Sequence, residues 1–455
     1  MTRDKLTNRV SGTVSSPVTR HSPHGRARTR VAVIGGGYAG MAAAAQLAHG
    51  GAPVTVFEAG QVLGGRARRV ETERMRLDNG LHILLGAYRE TLRLIELVKE
   101  PGEPPGLLRL PLELTIHPVF RLRTAPLPAP LHLLSALLRA QGLGLGDRFA
   151  AVRFMAWARR SKFRLAADMY VAQLLRSKRQ PETVSRFLWN PLCVSALNTP
   201  PSQASAQIFL NVLRDSLDGS RANSDLLLPT LDFSALFPDR AARFVESHGG
   251  NVRLGVTVDA IERKDDGFTL AVEGEYFRHV ILAVSPHRAG ALLAPYTELA
   301  PIARMIDQFT YQPIYSVYLQ YGREARLPFR MGGLETRYSQ WLFDRGQLCG
   351  QHGLIGVVIS ASGAHQGLAH DDLARAVHAE LAENFPALGE PLWHQVIAEK
   401  RATFSCTPGL LRPDNLTPVA GLYLAGDYTA SDYPATIESA VRSGIRAANL
   451  ILQDA

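Results

Sequence analysis

The 455-residue sequence predicts an α/β fold with a parallel sheet and a second, mixed α+β domain, for three reasons. The chain is too long for one compact core, so two or more lobes are expected. Near its start, the apolar run at 31–34 leads into a glycine-rich turn and an alanine-rich helix. Near its end, residues 421–452 again have the pattern of buried strand, glycine turn and amphipathic helix. Together these units indicate a Rossmann-type domain assembled from distant parts of the chain.

The first unit, RVAVIGGGYAGMAAAAQLAHGGAPVTVFEAG (30–60), predicts a strand–helix–strand motif that binds a dinucleotide. Its glycines have the G-x-G-x-x-G spacing, which allows a tight turn, close approach to a pyrophosphate and close helix–strand packing. The helix N-terminus offers free N–H groups to the phosphates. Glu58 ends the second strand, where it can bind a ribose diol; it disfavours NADP but does not separate NAD from FAD. The residues expected at the dinucleotide are Gly35, Gly37, Tyr38, Ala39, Gly40, Glu58 and Ala59.

The stretch VLGGRARR (62–69) indicates that the dinucleotide is FAD and not NAD. Gly64 and Gly65 before Arg66 resemble the second fingerprint of the FAD-dependent amine oxidase and carotenoid desaturase superfamily. Backbone close to a diphosphate and a flavin requires positions without side chains, and an arginine neutralises phosphate charge. The resemblance therefore implies FAD as the cofactor and an amine oxidase/phytoene desaturase-like fold.

The C-terminal stretch GLYLAGDYTASDYPATIESAVRSGIRAANLIL (421–452) resembles the unit that lines FAD in the same superfamily. The resemblance places Asp427 at the ribityl or diphosphate region. It also directs the N-terminus of the last helix at the flavin, where the helix dipole favours negative charge. The residues expected to contact the cofactor here are Gly426, Asp427, Ala435, Thr436 and Ile437.

The middle of the chain supplies two further superfamily matches and the expected domain boundaries. Val258 and Ile261 match a V-x-x-I strand whose backbone contacts adenine, and HVILAVSP (279–286) matches a strand that returns to the flavin. The FAD-binding domain is expected to be discontinuous, and the substrate pocket is expected where the two domains meet. The predicted divisions are a disordered basic tail at 1–29, the FAD-binding domain at 30–110, 215–290 and 395–455, and the substrate domain at 111–214 and 291–394.

Four segments together resemble the hydroxysqualene dehydroxylase family, the squalene-associated FAD enzymes of bacterial hopanoid pathways. They are DNGLHILLGAYRETLRL (78–94), LWNPLCVSALNTPPSQASAQIFLNVLRD (188–215), DLLLPTLDFSALFP (225–238) and GDYTASDYPATIESAVRSG (426–444). The resemblance implies loss of an allylic hydroxyl as water and capture of the allylic cation by hydride from reduced flavin. It also places Asn79 and Gly80 beside the flavin. One departure is Leu81, where the family usually has glutamine.

His82 and Tyr433 are the candidate acids for this reaction. The titration range of histidine suits proton donation near neutral pH, and Tyr433 stands just before the turn expected to face the flavin. Each has a structural alternative: His82 can bond to backbone or flavin, and Tyr433 can anchor a loop. Cys193 lies in an apolar run without a basic neighbour, so core packing is expected there.

Composition limits the possible partners. Seven basic residues and one acidic residue lie within the first 30 positions, so much of the net charge of +9 is in the tail and nucleic-acid binding is not expected. The three cysteines lie far apart, which disfavours a metal site or a disulfide framework.

Membrane contact is the second question that composition raises. No apolar run is long enough to span a membrane. Residues 125–165 are leucine-rich with interspersed arginines, which fits either a helical lobe with a solvated face or a surface lying on an anionic membrane. We expect a cytoplasmic protein peripheral on the inner face of the cytoplasmic membrane. Its electron donor is not indicated, and enzymes earlier in the squalene pathway are candidate partners.

Two rival functions share these motifs. A carotenoid-type desaturase would run hydride transfer in the opposite direction on a similar polyene, and fold alone does not determine that direction. A non-catalytic isoprenoid-binding flavoprotein docked at the membrane would keep the fold without the chemistry.

Overall fold

The computed structural model describes residues 30–272 and 274–454, so the predicted tail at 1–29 lies outside the described residues. The strands in this part of the chain are β1 (Val31–Ile34), β2 (Val54–Glu58), β3 (Arg69–Glu71), β4 (Arg76–Asp78), β5 (Leu84–Leu85), β6 (Leu107–Leu110), β7 (Glu113–His117), β8 (Phe120–Arg123), β9 (Leu226–Pro229), β10 (Asn251–Leu254), β11 (Ile261–Lys264), β12 (Gly267–Leu270), β13 (Tyr276–Phe277), β14 (His279–Leu282), β15 (Tyr311–Gln320), β16 (Met331–Leu334), β17 (Trp341–Asp344), β18 (Leu354–Ser360), β19 (Trp393–Phe404) and β20 (Leu422–Leu424).

The α-helices within the same residues are α1 (Tyr38–His49), α2 (Arg89–Leu97), α3 (Leu131–Arg139), α4 (Leu145–Arg160), α5 (Val171–Ser177), α6 (Glu182–Val184), α7 (Asn190–Leu197), α8 (Ala206–Leu213), α9 (Phe233–Leu236), α10 (Pro238–Ser247), α11 (Pro286–Leu293), α12 (Ala300–Asp307), α13 (Arg345–Cys349), α14 (His370–Asn384) and α15 (Ile437–Asp454). Short π-helical turns follow α6 at Ser185–Trp189 and α8 at Arg214–Asp218. None of these helices combines the length and hydrophobicity needed to cross a bilayer.

A five-stranded parallel sheet with the order β10-β2-β1-β14-β20 forms one half of the molecule, which we call the nucleotide-binding half after the motif predicted in it. Strand β1 is completely buried because it lies in the middle of this sheet. The alanines of α1 are buried too, and their small side chains allow α1 to pack closely against α15. The predicted first strand, first helix and C-terminal strand–helix unit are therefore confirmed. Strand order changes direction on either side of β1, which is where α/β sheets bind ligands.

A seven-stranded sheet with the order β19-β15-β18-β17-β16-β7-β8 forms the second half. It is antiparallel except where β16 runs parallel to β7. Strand β19 pairs with β15 along most of its length, so residues 395–404, predicted to belong to the FAD-binding domain, are in this sheet instead. The boundary differs because β19 is the edge strand of this sheet, and residues 399 and 401–403 of β19 line the cavity described below.

Helices α3 to α8 cover one side of the second half and share a single large hydrophobic cluster with it. Cys193 on α7 is fully buried in this cluster, and its thiol donates to the carbonyl oxygen of Thr199 at 3.7 Å. Burial raises the pKa of that thiol. The expectation that Cys193 packs in the core is confirmed.

Candidate active site

A cavity of about 1160 Å³ lies between the carboxyl ends of the parallel strands and the seven-stranded sheet. It collects residues from both glycine motifs, the C-terminal motif and the segment after β4. Every predicted cofactor residue except Gly40 lines it, namely Gly35, Gly37, Tyr38, Ala39, Glu58, Ala59, Gly64, Gly65, Arg66, Asn79, Gly80, Val258, Gly426, Asp427, Ala435, Thr436 and Ile437. The motifs therefore come together around one space although they are hundreds of residues apart.

The first glycine turn is shaped by backbone that leaves no room for side chains. Gly35 has a φ of +112°, in the region that favours glycine. A Cβ on Gly40 would lie 1.9 Å from the carbonyl oxygen of Gly35, so this position serves helix–strand packing and not the cavity. A Cβ on Gly37, in contrast, would meet nothing closer than Gly65 Cα at 3.8 Å. Gly37 and Gly64 face each other in a β-bridge, which aligns the two glycine motifs.

Glu58 stands at the end of β2 with its carboxylate at the cavity wall. Its two oxygens accept hydrogen bonds from the backbone N–H groups of Gly36 and Gly60, at 2.6 and 2.8 Å. These bonds hold the carboxylate in one orientation. Because each carboxylate oxygen has a second lone pair, Glu58 can still accept bonds from a ribose diol.

Arg66 links the second glycine motif to the C-terminal motif. Its guanidinium group donates to Asp427 at 2.6 Å and to the carbonyl oxygen of Ala402 at 2.8 Å. Asp427 is buried, and its charge raises the pKa of Arg66 against the effect of burial. The ion pair fixes the Arg66 guanidinium at the cavity wall, where its remaining N–H groups can bind an anionic ligand.

The turn after β4 brings His82 to the cavity. Its Nε2 atom is buried and has no hydrogen-bond partner among the described residues. A Cβ on Gly80 would lie 2.9 Å from Nε2, so this glycine leaves space for the ring. Burial and then the nearby charge of Arg66 lower the pKa of His82 to about 4. The ring is therefore neutral at pH 7, and the expectation that it titrates near neutral pH is wrong.

Leu81, the departure named above, lies on the apolar side of the cavity. A Cβ on Gly356 in β18 would lie 2.4 Å from Leu81 Cδ1, so the leucine fits against bare backbone of the seven-stranded sheet. It packs in apolar clusters with residues of that sheet. Leu81 therefore makes a hydrophobic contact with the seven-stranded sheet at this position.

Tyr433 is not brought to the same place as His82. Its hydroxyl donates to Asp215 at 2.7 Å, and Tyr433 is absent from the cavity lining. Burial and the bond to Asp215 raise the pKa of Tyr433 to about 12. Arg412 donates to its carbonyl oxygen at 2.9 Å. These contacts are those of a residue that anchors a loop.

Asp78 lies outside the cavity lining, and Val258 differs from expectation in local structure. The carboxylate of Asp78 accepts from the Phe233 backbone N–H at 3.0 Å and pairs with Arg345 at 3.1 Å, so it faces away from the cavity. Val258 lines the cavity, but it lies in irregular backbone between β10 and β11 and not in a strand. Its segment leaves the sheet because the chain turns there from the parallel sheet to a separate three-stranded one.

The residues that line the second half of the cavity were not predicted from the sequence. Its wall is largely apolar and comes from the seven-stranded sheet and the segment before β5, with Leu81, Ile83, Ile314, Met331, Trp341, Phe343 and Val358. Of the stretch 187–213, only Ser195, Ala196 and Asn198 reach the cavity. Single residues on separate strands carry no sequence motif, so no local signal could have identified them. Within the described residues, no group of three or more His, Cys, Asp or Glu side chains is placed to hold a metal ion.

Comparison with known proteins agrees with this geometry. The model of the family described as flavin containing amine oxidoreductase matches residues 38–452. The chain is 30% identical over 440 residues to hydroxysqualene dehydroxylase of Rhodopseudomonas palustris, covering 93% of this chain and 98% of that protein. It is 24% identical to 15-cis-phytoene desaturase of Synechococcus elongatus, covering 93% and 96% of the two chains. An oxidoreductase structure from Methanosarcina mazei superposes with a TM-score of 0.70 at 16% identity, over 92% of this chain and 100% of that one, which establishes the fold.

Proposed function

The chain belongs to the flavin containing amine oxidoreductase family, and from that premise we propose that it uses FAD to convert hydroxysqualene to squalene. Overall, the allylic hydroxyl leaves as water and a hydride takes its place, with one proton consumed. The similarity to a hydroxysqualene dehydroxylase over nearly the whole chain supports this substrate.

The cavity fits FAD by its chemistry. The glycines of both motifs leave backbone without side chains where a diphosphate would approach, and Glu58 is oriented for a ribose. Arg66 offers a fixed positive charge, and the N-terminus of α15 adds a dipole that favours anionic flavin. When bound in its reduced form, FAD supplies the hydride.

The single observation that carries the proposal is that His82 lines the same cavity as the glycine motifs and the apolar wall. That wall would hold a hydrocarbon chain and exclude water from a cation. Nε2 is a buried polar atom without a partner among the described residues. A substrate hydroxyl would supply that partner.

We assign His82 as a hydrogen-bond donor to the leaving hydroxyl. Because its pKa is lowered to about 4, it acts as a neutral ring at pH 7 and donates from a ring N–H. The hydroxyl departs as hydroxide held by this hydrogen bond, and the one proton that completes the water comes from the solvent. Tyr433 is left as a positioning residue for the loop before α15.

The test is anaerobic incubation of the purified protein with hydroxysqualene and reduced FAD, followed by lipid analysis. We expect squalene. A parallel incubation with phytoene and oxidised FAD tests the desaturase alternative, and a more unsaturated product there without squalene in the first reaction would overturn the proposal. Bound flavin with no conversion of either substrate would support a non-catalytic role instead.

A further inference from the structure

Exposed apolar side chains are concentrated in one part of the helical layer. On α3 and at the start of α4 they form what we call the leucine patch, which consists of Leu131, Leu134, Leu138, Leu145 and Phe149. Leu145 and Phe149 are 70% and 63% exposed, high values for large apolar side chains. Single exposed leucines are ordinary on soluble proteins, whereas a contiguous group marks a binding surface.

The helix α3 shows that this exposure is not incidental. Its inner face, with His132, Leu133, Ala136 and Leu137, is buried in the large hydrophobic cluster. Its outer face repeats leucine at 131, 134 and 138, the spacing of a second apolar stripe. A helix that is apolar on both faces needs a partner on its outer side as well.

Arg148 joins the two parts of the patch into one surface. Its guanidinium group donates to the carbonyl oxygens of Leu138 and Leu143, at 3.0 Å each. This bond set holds the end of α3 against the first turns of α4, next to Phe149 in sequence. The exposed Leu138 at the end of α3 therefore lies near the exposed residues at the start of α4.

The charge around the patch identifies the partner. Between positions 114 and 167 the chain has nine Lys or Arg and only one acidic residue, Asp147. Arg139 and Arg153 are exposed next to the patch, and Arg139 makes no ion pair with the described residues. Apolar side chains surrounded by arginines match a lipid surface with anionic headgroups.

We propose that the leucine patch inserts into an anionic membrane surface, with the neighbouring arginines contacting lipid headgroups. The basic tail at 1–29 is a poor occupant because its charge has the same sign as that of the surrounding arginines. The patch serves a substrate that partitions into lipid, yet its membrane binding can be measured without any substrate.

The experiment measures binding of the full flavin-loaded chain to vesicles by flotation. Vesicles of phosphatidylcholine with phosphatidylglycerol are compared with pure phosphatidylcholine at low and high salt. We expect at least tenfold tighter binding to the anionic vesicles at low salt. The double variant Leu145→Glu/Phe149→Glu should lose at least tenfold in that binding while it keeps its flavin absorbance.

Leu392→Glu/Leu411→Glu is the matched control, because these leucines are 72% and 69% exposed and lie outside the patch. It changes net charge by the same amount, and we expect it to bind vesicles like the unaltered chain. Equal losses in the two double variants, or no vesicle binding at all, would overturn the proposal. So would a dimer that only Leu145→Glu/Phe149→Glu dissociates while vesicle binding is absent, since the patch would then join two copies of the chain.

Discussion

The guanidinium group of Arg66 lies 2.6 Å from the carboxylate of Asp427, and this ion pair joins two motifs that are 361 positions apart. Each residue belongs to a segment that resembles a flavin-binding motif in its own right. The pairing shows that the two segments support each other before any ligand is considered. Loss of one partner therefore affects both the fold and the cavity.

Replacement of Arg66 by methionine tests this coupling. The variant Arg66→Met leaves the buried Asp427 carboxylate without its cation, so we expect the free energy of unfolding to fall by roughly 2 kcal/mol. Flavin affinity should fall about tenfold or more, because the fixed positive charge is lost. Urea unfolding and flavin titration measure the two effects. Arg76→Met is the control. Arg76 is 71% exposed, and its ion pair with Glu71, at 3.6 Å, contributes little to the free energy of unfolding because both side chains are solvated.

The two halves of the cavity were predictable from sequence to very different degrees. The glycine motifs were predictable because each requires particular residues at fixed spacing around one turn. The apolar wall was not, because residues such as Met331 and Trp341 reach it singly from neighbouring strands. The partners of Tyr433 and Asp78 were likewise hidden, since Asp215 and Arg345 are brought close only by tertiary packing.

The glycines of the first turn have separable roles. In Gly37→Ala the new methyl group meets nothing within 3.4 Å, so we expect stability within about 0.5 kcal/mol of the unaltered chain. Flavin binding should nonetheless weaken strongly, because the methyl group would stand where a diphosphate approaches. In Gly40→Ala the methyl group would collide with the Gly35 carbonyl oxygen, so we expect a poorly folded protein. Thermal unfolding and flavin titration distinguish the two.

Gly367→Ala serves as the control for both glycine variants, because nothing lies within 4 Å of its added methyl group. It should leave flavin binding and the melting temperature unchanged. Full flavin affinity in Gly37→Ala would place the diphosphate elsewhere in the cavity.

His82 should be essential for turnover but not for flavin binding. As a hydrogen-bond donor to the leaving group, it is expected to contribute about 100-fold or more to kcat. His82→Ala should therefore lose that contribution to kcat and still bind flavin, as its absorbance will show. His82→Gln keeps a neutral N–H donor and should recover part of the activity. Tyr433→Phe is the comparison variant, since it removes the bond to Asp215 and should cost about 1 kcal/mol of stability with little change in kcat.

The low pKa of His82 also predicts how stability depends on pH. The folded-state pKa of about 4 lies below the unfolded value near 6.5. Between these values the unfolded chain binds the proton and the folded chain does not, so stability falls as pH drops from about 6.5 to 4. Above about pH 6.5 the contribution of His82 to the free energy of unfolding is fully present.

Urea unfolding of the flavin-free protein at a series of pH values measures this loss. His82→Gln should show a shallower decline than the unaltered chain, by up to roughly 3 kcal/mol at pH 4. His49→Gln, at an exposed position, should decline as steeply as the unaltered chain. Identical slopes in all three proteins would mean that His82 is not held neutral by burial.

The buried pair of Asp78 and Arg345 connects the nucleotide-binding half to the seven-stranded sheet. Asp78 is fully buried and Arg345 nearly so, with 3.1 Å between their charged groups. Burial raises the pKa of Asp78 even against the attraction of Arg345.

We expect Asp78→Asn and Arg345→Met each to lower the free energy of unfolding by about 3 kcal/mol, because each leaves an uncompensated buried charge. The double variant should lose less than the sum, since neither charge then remains, and a double-mutant cycle by urea unfolding measures that coupling. Asp372→Asn, which breaks an exposed pair with Arg375 on α14, should stay within about 0.5 kcal/mol. Additive losses at Asp78 and Arg345 would show that this pair contributes no coupling between the two halves.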